Sequence, residues 1–359
     1  MSENQSQIIS QDASAATTPV RKEFKRGAVR LSIDKSALNL VVWESLYDTP
    51  DSPLVIKPAA SHIDAHVWAS ANRSVIDKLL VEHGALLFRG FSLATVKGVS
   101  DFSKLVMDSV FKENTEHQRI DEAGEVQIPV EYTKSEFLLW HNENTFNLRW
   151  PRKAIFACAQ PAVTGGQTPV VDSRSVYQQM DPDIRQEFVD KQVMYVRTYG
   201  PDNRIGLGWK TIFGTDNKAK VEALCKEQKM DFEWRGGDRL STFSVRPAVW
   251  QHPVSGEWSW FNQAQHWHFS CLDNNTRAAL QRLYSDEKDY PRNCYFGDGS
   301  PIGDDIMSEI LDLYRKNHIE FDWQQGDLLL VDNILKAHAR NPFEGERKIL
   351  VCFGDMGSF

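Results

Sequence analysis

The chain has 359 residues, 41% of them hydrophobic and 11% aromatic, too much large apolar surface for a disordered, collagen-like or coiled-coil polypeptide. At about 150 residues per domain, that length makes two ordinary domains or one large domain with insertions. Lys and Arg number 41 against 49 Asp and Glu, a net charge of −8 with no basic run, which argues against nucleic acid as a partner.

Residues 1 to about 25 are rich in Ser, Gln, Ala and Thr and read as a disordered tail, leaving a single domain over residues 26–359. The N-terminus has no signal-peptide core, and no stretch approaches the roughly 20 apolar residues of a membrane span. Five scattered cysteines (Cys158, Cys225, Cys271, Cys294, Cys352) form no disulfide framework or zinc spacing. A cytoplasmic protein with no membrane partner is the expectation.

From Ser70 onward, Val75, Ile76, Leu79 and Leu80 recur at helical spacing, with Gly84 placed as the C-terminal cap. Ala85 to Arg89 then reads as a short strand, and Val96, Val99, Phe102, Leu105 and Val106 as a second helix. Beyond residue 125 the text becomes short β-like runs: Ala154 to Cys158, a turn at Thr164-Gly165-Gly166, then Pro169-Val170-Val171. Residues 195–300, rich in Trp, Gly, Asp and Asn, lack long periodicity apart from a helix over Lys218 to Lys229, and read as an insertion or lid. Ile302, Ile306, Ile310, Leu313 and Tyr314 mark a late amphipathic helix, and Asp327 to Val331 and Ile349 to Phe353 two buried strands.

His141-Asn142-Glu143 sets an imidazole and a carboxylate two residues apart, a spacing that puts both on one face of a strand. His338, directly after an apolar strand, is the best-placed third ligand. Two histidines and one carboxylate make the facial triad of non-haem Fe(II) oxygenases, which leaves coordination positions open for a chelating 2-oxo acid and O2. The far carboxylate of such an acid needs a fixed cation, for which Arg347 is suited, with Thr168 as a hydroxyl donor.

These residues also carry a resemblance. His141-Asn142-Glu143, Gly165-Gly166-Gln167-Thr168 with Asp172-Ser173-Arg174, and Asp332-Asn333 through His338-Ala339-Arg340 to Gly345-Glu346-Arg347 together resemble the taurine dioxygenase/TfdA family over roughly residues 85 to 356. His252-Pro253, Trp260-Phe261-Asn262-Gln263 and Phe296-Gly297-Asp298-Gly299-Ser300-Pro301 are similar in texture to its syringomycin-type amino-acid β-hydroxylase branch. The resemblance implies a mixed α/β chain with an all-β core, a double-stranded β-helix (jelly roll, cupin-like) with flanking helices and the metal at one open end. It implies Fe(II) on His141, Glu143 and His338, the 5-carboxylate of 2-oxoglutarate on Thr168 and Arg347, and O2 as second cosubstrate.

Two departures stand out: Glu143 where founding members carry Asp, and Ala339 where Gly is usual. Glu143 also fills the position that related halogenases leave to Gly or Ala, so hydroxylation is expected over chlorination. The implied substrate is an amino acid, hydroxylated at Cβ, either free or tethered to a peptidyl carrier protein. Arg246, Arg340, His266 and His268 are candidate anchors for its carboxylate or carbonyl, the two histidines read as sharing one strand face. A sulfonate or other small acid would use similar cations, and desaturation or epoxidation the same oxidant. Rival readings are a zinc hydrolase on the same triad and a non-catalytic β-helix binding protein.

Overall fold

The apolar runs of the sequence become the centre of an eight-stranded sheet. The computed structural model describes residues 40–61, 63–112, 118–202 and 208–359, so the expected tail over residues 1–25 lies outside the described residues. Strand order is Val41–Ser45, Leu54–Pro58, Ala85–Phe88, Leu328–Asp332, Arg149–Gln160, Lys348–Ser358, Gln127–Ile128 and Gln118–Arg119. The second and third of these pair in parallel and the other neighbours antiparallel.

The central strands are apolar throughout because both faces of the sheet are covered. Leu328 and Leu330, Ile155 and Ala157, and Leu350 and Cys352 point to one face, where they pack with Trp68, Ile76, Leu80, Val99 and Phe102 of the helices Ala65–Ala71, Arg73–His83 and Val96–Val106. Leu329 and Val331, Ala154 and Phe156, and Ile349, Val351 and Phe353 point to the other. Each buried Leu, Ile or Phe contributes roughly 1.5–3 kcal/mol, so a one-residue slip that exchanges the two faces is strongly disfavoured. Gly84 ends the Arg73–His83 helix in the left-handed region (φ 71°), its N–H donating to the Leu80 carbonyl. A Cβ there would lie 2.8 Å from the Lys336 side chain, so glycine is required twice over.

A three-stranded sheet, Leu138–His141, Lys336–Arg340 and Val170–Asp172, lies over the second face, its Val170 joining Leu329, Phe156 and Val351 in one core. Its opposite face, with Trp140, Val171, Ala337 and Ala339, packs on the helices Ser173–Gln179, Pro182–Lys191 and Asp304–Asn317. Alternation along these strands therefore leaves His141 and His338 between the two sheets.

The stretch 195–300, expected as an aperiodic insertion, contains most of a four-stranded antiparallel sheet ordered Asp231–Arg235, Arg239–Arg246, Val193–Tyr199, Arg292–Phe296. Its strands escape a periodicity search because polar Ser241, Thr242 and Ser244 are buried in register with Val193–Tyr199. The helix expected there runs Lys218–Glu227. Among the described residues, no helix is long and apolar enough to cross a membrane.

Candidate metal and cosubstrate site

His338 stands directly opposite His141 across the pairing of their two strands, with ring centroids 4.4 Å apart. The Glu143 carboxylate closes the cluster, Oε2 lying 4.0 Å from His141 Nε2 and 3.7 Å from His338 Nε2. One ligand atom from each residue falls within 4.8 Å of the others. The expected common strand face is corrected in one respect: the strand ends at His141, and Glu143 sits in the following turn, where Asn144 takes φ 61°. His141 Nδ1 is 2.8 Å from the Leu139 carbonyl, a contact that requires the proton on Nδ1 and leaves the Nε2 lone pair toward Glu143. Burial pushes the His141 pKa down, against that hydrogen bond, so the ring is a neutral ligand at physiological pH.

Asn333 holds the turn in place. Its Oδ1 accepts from the Glu143 N–H at 2.6 Å, and its Nδ2 donates to the carbonyls of Glu143 (3.0 Å) and Pro151 (2.8 Å). Asn142 in turn donates to the Asn333 carbonyl at 2.7 Å. In the sequence Asn333 carries no evident role of its own. Its signal was position, in the tight turn joining the apolar strand to the His338 strand.

Arg347 and Thr168 also meet. Arg347 Nε donates to the Gly166 carbonyl at 2.9 Å and Nη2 to Thr168 Oγ1 at 3.4 Å, while Trp323 Nε1 donates to the same hydroxyl oxygen at 3.1 Å. With two donors on its oxygen, Thr168 has its hydroxyl proton to offer a third partner. Burial, with the nearby Arg340 charge, pushes the Arg347 guanidinium down to about 10, still cationic at neutral pH. Among the described residues it pairs with no carboxylate, neither Glu344 nor Glu346. A half-buried cation beside a hydroxyl donor has the chemistry to hold a carboxylate.

The expected substrate anchors fare differently. Arg340 donates to the main-chain carbonyls of Tyr132, Thr133 and Glu136, which makes it a clamp on that segment. Arg246 donates to the carbonyls of Gln228 and Lys229, capping the end of the Lys218–Glu227 helix. His266 and His268 share no strand: His266 lies in the short helix Ala264–Trp267 and His268 is its C-cap. Only His266 reaches the cluster, its ring stacked at 5.1 Å on His141. His268 bonds Ser270 and the Ile302 carbonyl and lines a separate cavity of about 380 Å³ with Arg277, Glu287 and Asp304.

Two imidazole nitrogens and one carboxylate oxygen facing a common space fit ferrous iron with open positions. The donors alone also fit zinc, but a zinc hydrolase gives Arg347 and Thr168 no purpose.

Comparison with known proteins agrees with this geometry. The model of the "Taurine catabolism dioxygenase TauD, TfdA family" matches residues 51–353. The chain is 34% identical to the dapdiamide synthesis protein DdaC of Enterobacter agglomerans, covering 85% of this chain and 92% of that protein. It is 29% identical to a clavaminate synthase-like protein of Arabidopsis thaliana, covering 85% and 94%. The crystal structure of PvcB from Pseudomonas aeruginosa superposes with a TM-score of 0.51 at 16% identity, over 90% of this chain and 93% of that one, a likeness of fold.

Proposed function

The chain belongs to the TauD/TfdA family of dioxygenases, and on that premise we propose that it hydroxylates an unactivated C–H bond, at Cβ, of an amino acid that is free or held on a peptidyl carrier protein. It is an Fe(II)/2-oxoglutarate-dependent enzyme with O2 as cosubstrate. The observation that carries the reading is one arrangement: the His141, Glu143 and His338 cluster between two sheets, together with the Arg347–Thr168 pair. Descent alongside a protein of dapdiamide synthesis supports a role in specialised metabolism.

In this reading His141, Glu143 and His338 hold the iron, and Arg347 and Thr168 hold the distal carboxylate of 2-oxoglutarate. Bound iron supplies oxygen activation. The protein supplies position and exclusion of water: Phe156, packed at 4.6 Å on the His338 ring, and Trp323 beside Thr168 form apolar walls. The eight- and three-stranded sheets are read as the two walls of a double-stranded β-helix, and residues 195–300 as the region that receives substrate, within one domain over residues 26–359.

The test is an anaerobic optical titration of apoprotein with Fe(II) and then 2-oxoglutarate. A weak visible charge-transfer band that needs both ligands is expected, and Arg347→Ala should raise the 2-oxoglutarate concentration required by about tenfold or more, the worth of one hydrogen bond to a charged group. A folded protein that gives no band would sink the assignment.

Gly166 supplies a subtler check. It takes φ 73°, and a Cβ there would lie 3.0 Å from Arg347 Cδ. Gly166→Ala is expected to lower stability by about 1 kcal/mol through its left-handed backbone and to weaken 2-oxoglutarate in the same titration, with Fe(II) affinity retained. Unchanged 2-oxoglutarate affinity would mean that Arg347 does not hold it.

A further inference from the structure

Six residues stand opposite one another in a row across the eight-stranded sheet: Val55, Leu87, Leu329, Phe156, Val351 and Gln127. The first five belong to one apolar core, on the face turned to the metal cluster. Gln127 ends the row. Its neighbour Val126 packs on the helix side with Val99 and Phe102, so alternation turns the Gln127 side chain to the cluster side. That side chain is fully buried, and neither Oε1 nor Nε2 has a hydrogen-bond partner among the described residues. Buried side-chain polar atoms are mostly bonded, and leaving one unbonded costs its desolvation. An amide unpartnered at both ends therefore points to a ligand.

The row passes beneath the cluster. His338 packs on Phe156 at 4.6 Å, and its neighbours in the three-stranded sheet are Val170 on one side and His141 on the other. Val170 bridges Ile319, and the chain beyond reaches Asp322, whose carbonyl accepts from Arg89 at the end of the Ala85–Phe88 strand. The Val170 side thus lies toward Leu329 and Leu87, and the His141 side toward Val351 and Gln127. Arg340 agrees, since it clamps the segment that leads from Gln127–Ile128 to Leu138–His141. Arg347 precedes Val351 by four residues, about 13 Å of strand, so the distal-carboxylate site lies apart from this flank.

A primary amide donates through nitrogen and accepts through oxygen. 2-Oxoglutarate offers acceptors only and would leave Oε1 unpaired. The head group of an amino acid offers an ammonium donor and an oxygen acceptor side by side. We infer that Gln127 binds the head group of the amino-acid substrate, Oε1 accepting from its ammonium group and Nε2 donating to its carboxyl oxygen. This rests on the oxygenase reading above and deepens it, in place of the anchors expected at Arg246 and Arg340. The oxygen has two sources: the α-carboxylate of a free amino acid, or the carbonyl of an aminoacyl thioester.

The test uses Gln127→Met, which keeps the side chain's length and removes both polar ends. Without ligand the variant is expected to melt no lower than wild type, because no bond is lost and a desolvation cost is relieved. Anaerobic protein carrying Fe(II) and 2-oxoglutarate then receives the proteinogenic amino acids and their N-acetylcysteamine thioesters, with the shift of the visible band as readout. Each is paired with its parent acid lacking the amine and its parent amine lacking the carboxyl group. At least one amino acid or thioester is expected to shift the band, with both parents weaker by about tenfold or more, the worth of a hydrogen bond to a charged group. Gln127→Met should weaken the response by a similar factor and leave the Fe(II) and 2-oxoglutarate titrations as in wild type, with Gln127→Asn between. Response to free amino acids alone assigns the oxygen to the α-carboxylate, and response to thioesters assigns it to the carbonyl. Three results would each overturn the anchor: no response from the whole panel, a response indifferent to Gln127→Met, or a loss of 2-oxoglutarate affinity in that variant with the amino-acid response unchanged. Absence of the band in wild type before any panel member is added would instead overturn the oxygenase reading beneath it.

Discussion

Glu143→Ala is expected to leave the chain folded and to abolish Fe(II) binding at micromolar metal, with turnover lost along with it. The local fold survives because Asn333 grips the main chain of residue 143, through its N–H and carbonyl, and makes no use of the carboxylate. His141 keeps its tautomer through Leu139, and both histidine strands keep their pairing. The metal loses the one anionic ligand of the three. Removing an outer partner of a metal ligand commonly costs about 10–100-fold in affinity, and removal of the ligand itself should exceed that. Glu143→Asp, which keeps the charge on a chain one methylene shorter, should recover part of the affinity, whereas Glu143→Gln, neutral and of the same length, should not. The measurement is competitive titration of Fe(II) against a chelator, beside a thermal melt. A Glu143→Ala protein that binds Fe(II) like wild type and forms the band with 2-oxoglutarate would remove Glu143 from the site.

Much of this centre was legible in the sequence, for a physical reason. Ligands for iron and a cation for a distal carboxylate are drawn from a few residue types, and the proposed set, His141, Glu143, Thr168, His338 and Arg347, sits beside turns and strands whose apolar runs are unmistakable. The same holds for the helix closed by Gly84 and for the strands around Ile155, Leu330 and Val351, buried on both sides and so apolar without interruption. Substrate anchors are another matter. An arginine that caps a helix, as Arg246 does, or clamps a loop, as Arg340 does, reads like one that faces a pocket, because what distinguishes them is which carbonyls the fold brings near. His266 and His268 show the cost of taking an i, i+2 spacing for a strand. In a short helix and its cap, the two rings diverge, one stacked on His141 and the other bonded to the Ile302 carbonyl.

The His338 strand is also secured by charge, and Asp172→Asn should expose how strongly. Lys336 and Asp172 are paired in register and fully buried, with Lys336 Nζ 2.8 Å from Asp172 Oδ2, while Arg174 Nη2 donates to the same oxygen at 2.7 Å. Asp172 also caps the Ser173–Gln179 helix through the N–H groups of Arg174 and Ser175. Burial pushes the Asp172 carboxyl up, but Lys336 and Arg174 together overcome it and hold the group well below the usual carboxylate range. A depressed carboxylate stabilises the fold fully above its unfolded pKa, about 3.9, and that contribution drains away as pH falls toward the folded value. Asp172→Asn leaves the buried Lys336 facing a neutral amide while Arg174 keeps Glu257 as its partner at 2.9 Å, a loss of about 3 kcal/mol or more. The deficit against wild type, read from urea unfolding, should be complete at neutral pH and shrink below pH of about 4, where wild type loses the same interaction. Asp172→Asn combined with Lys336→Met should recover part of it, since the stranded Lys336 charge is gone. A deficit constant down to pH of about 2 would locate the effect in the helix cap instead of the ion pair. Because Lys336 lies two residues before His338, the variant should also bind Fe(II) more weakly at temperatures where it is still folded, linking the buried pair to the metal through one strand.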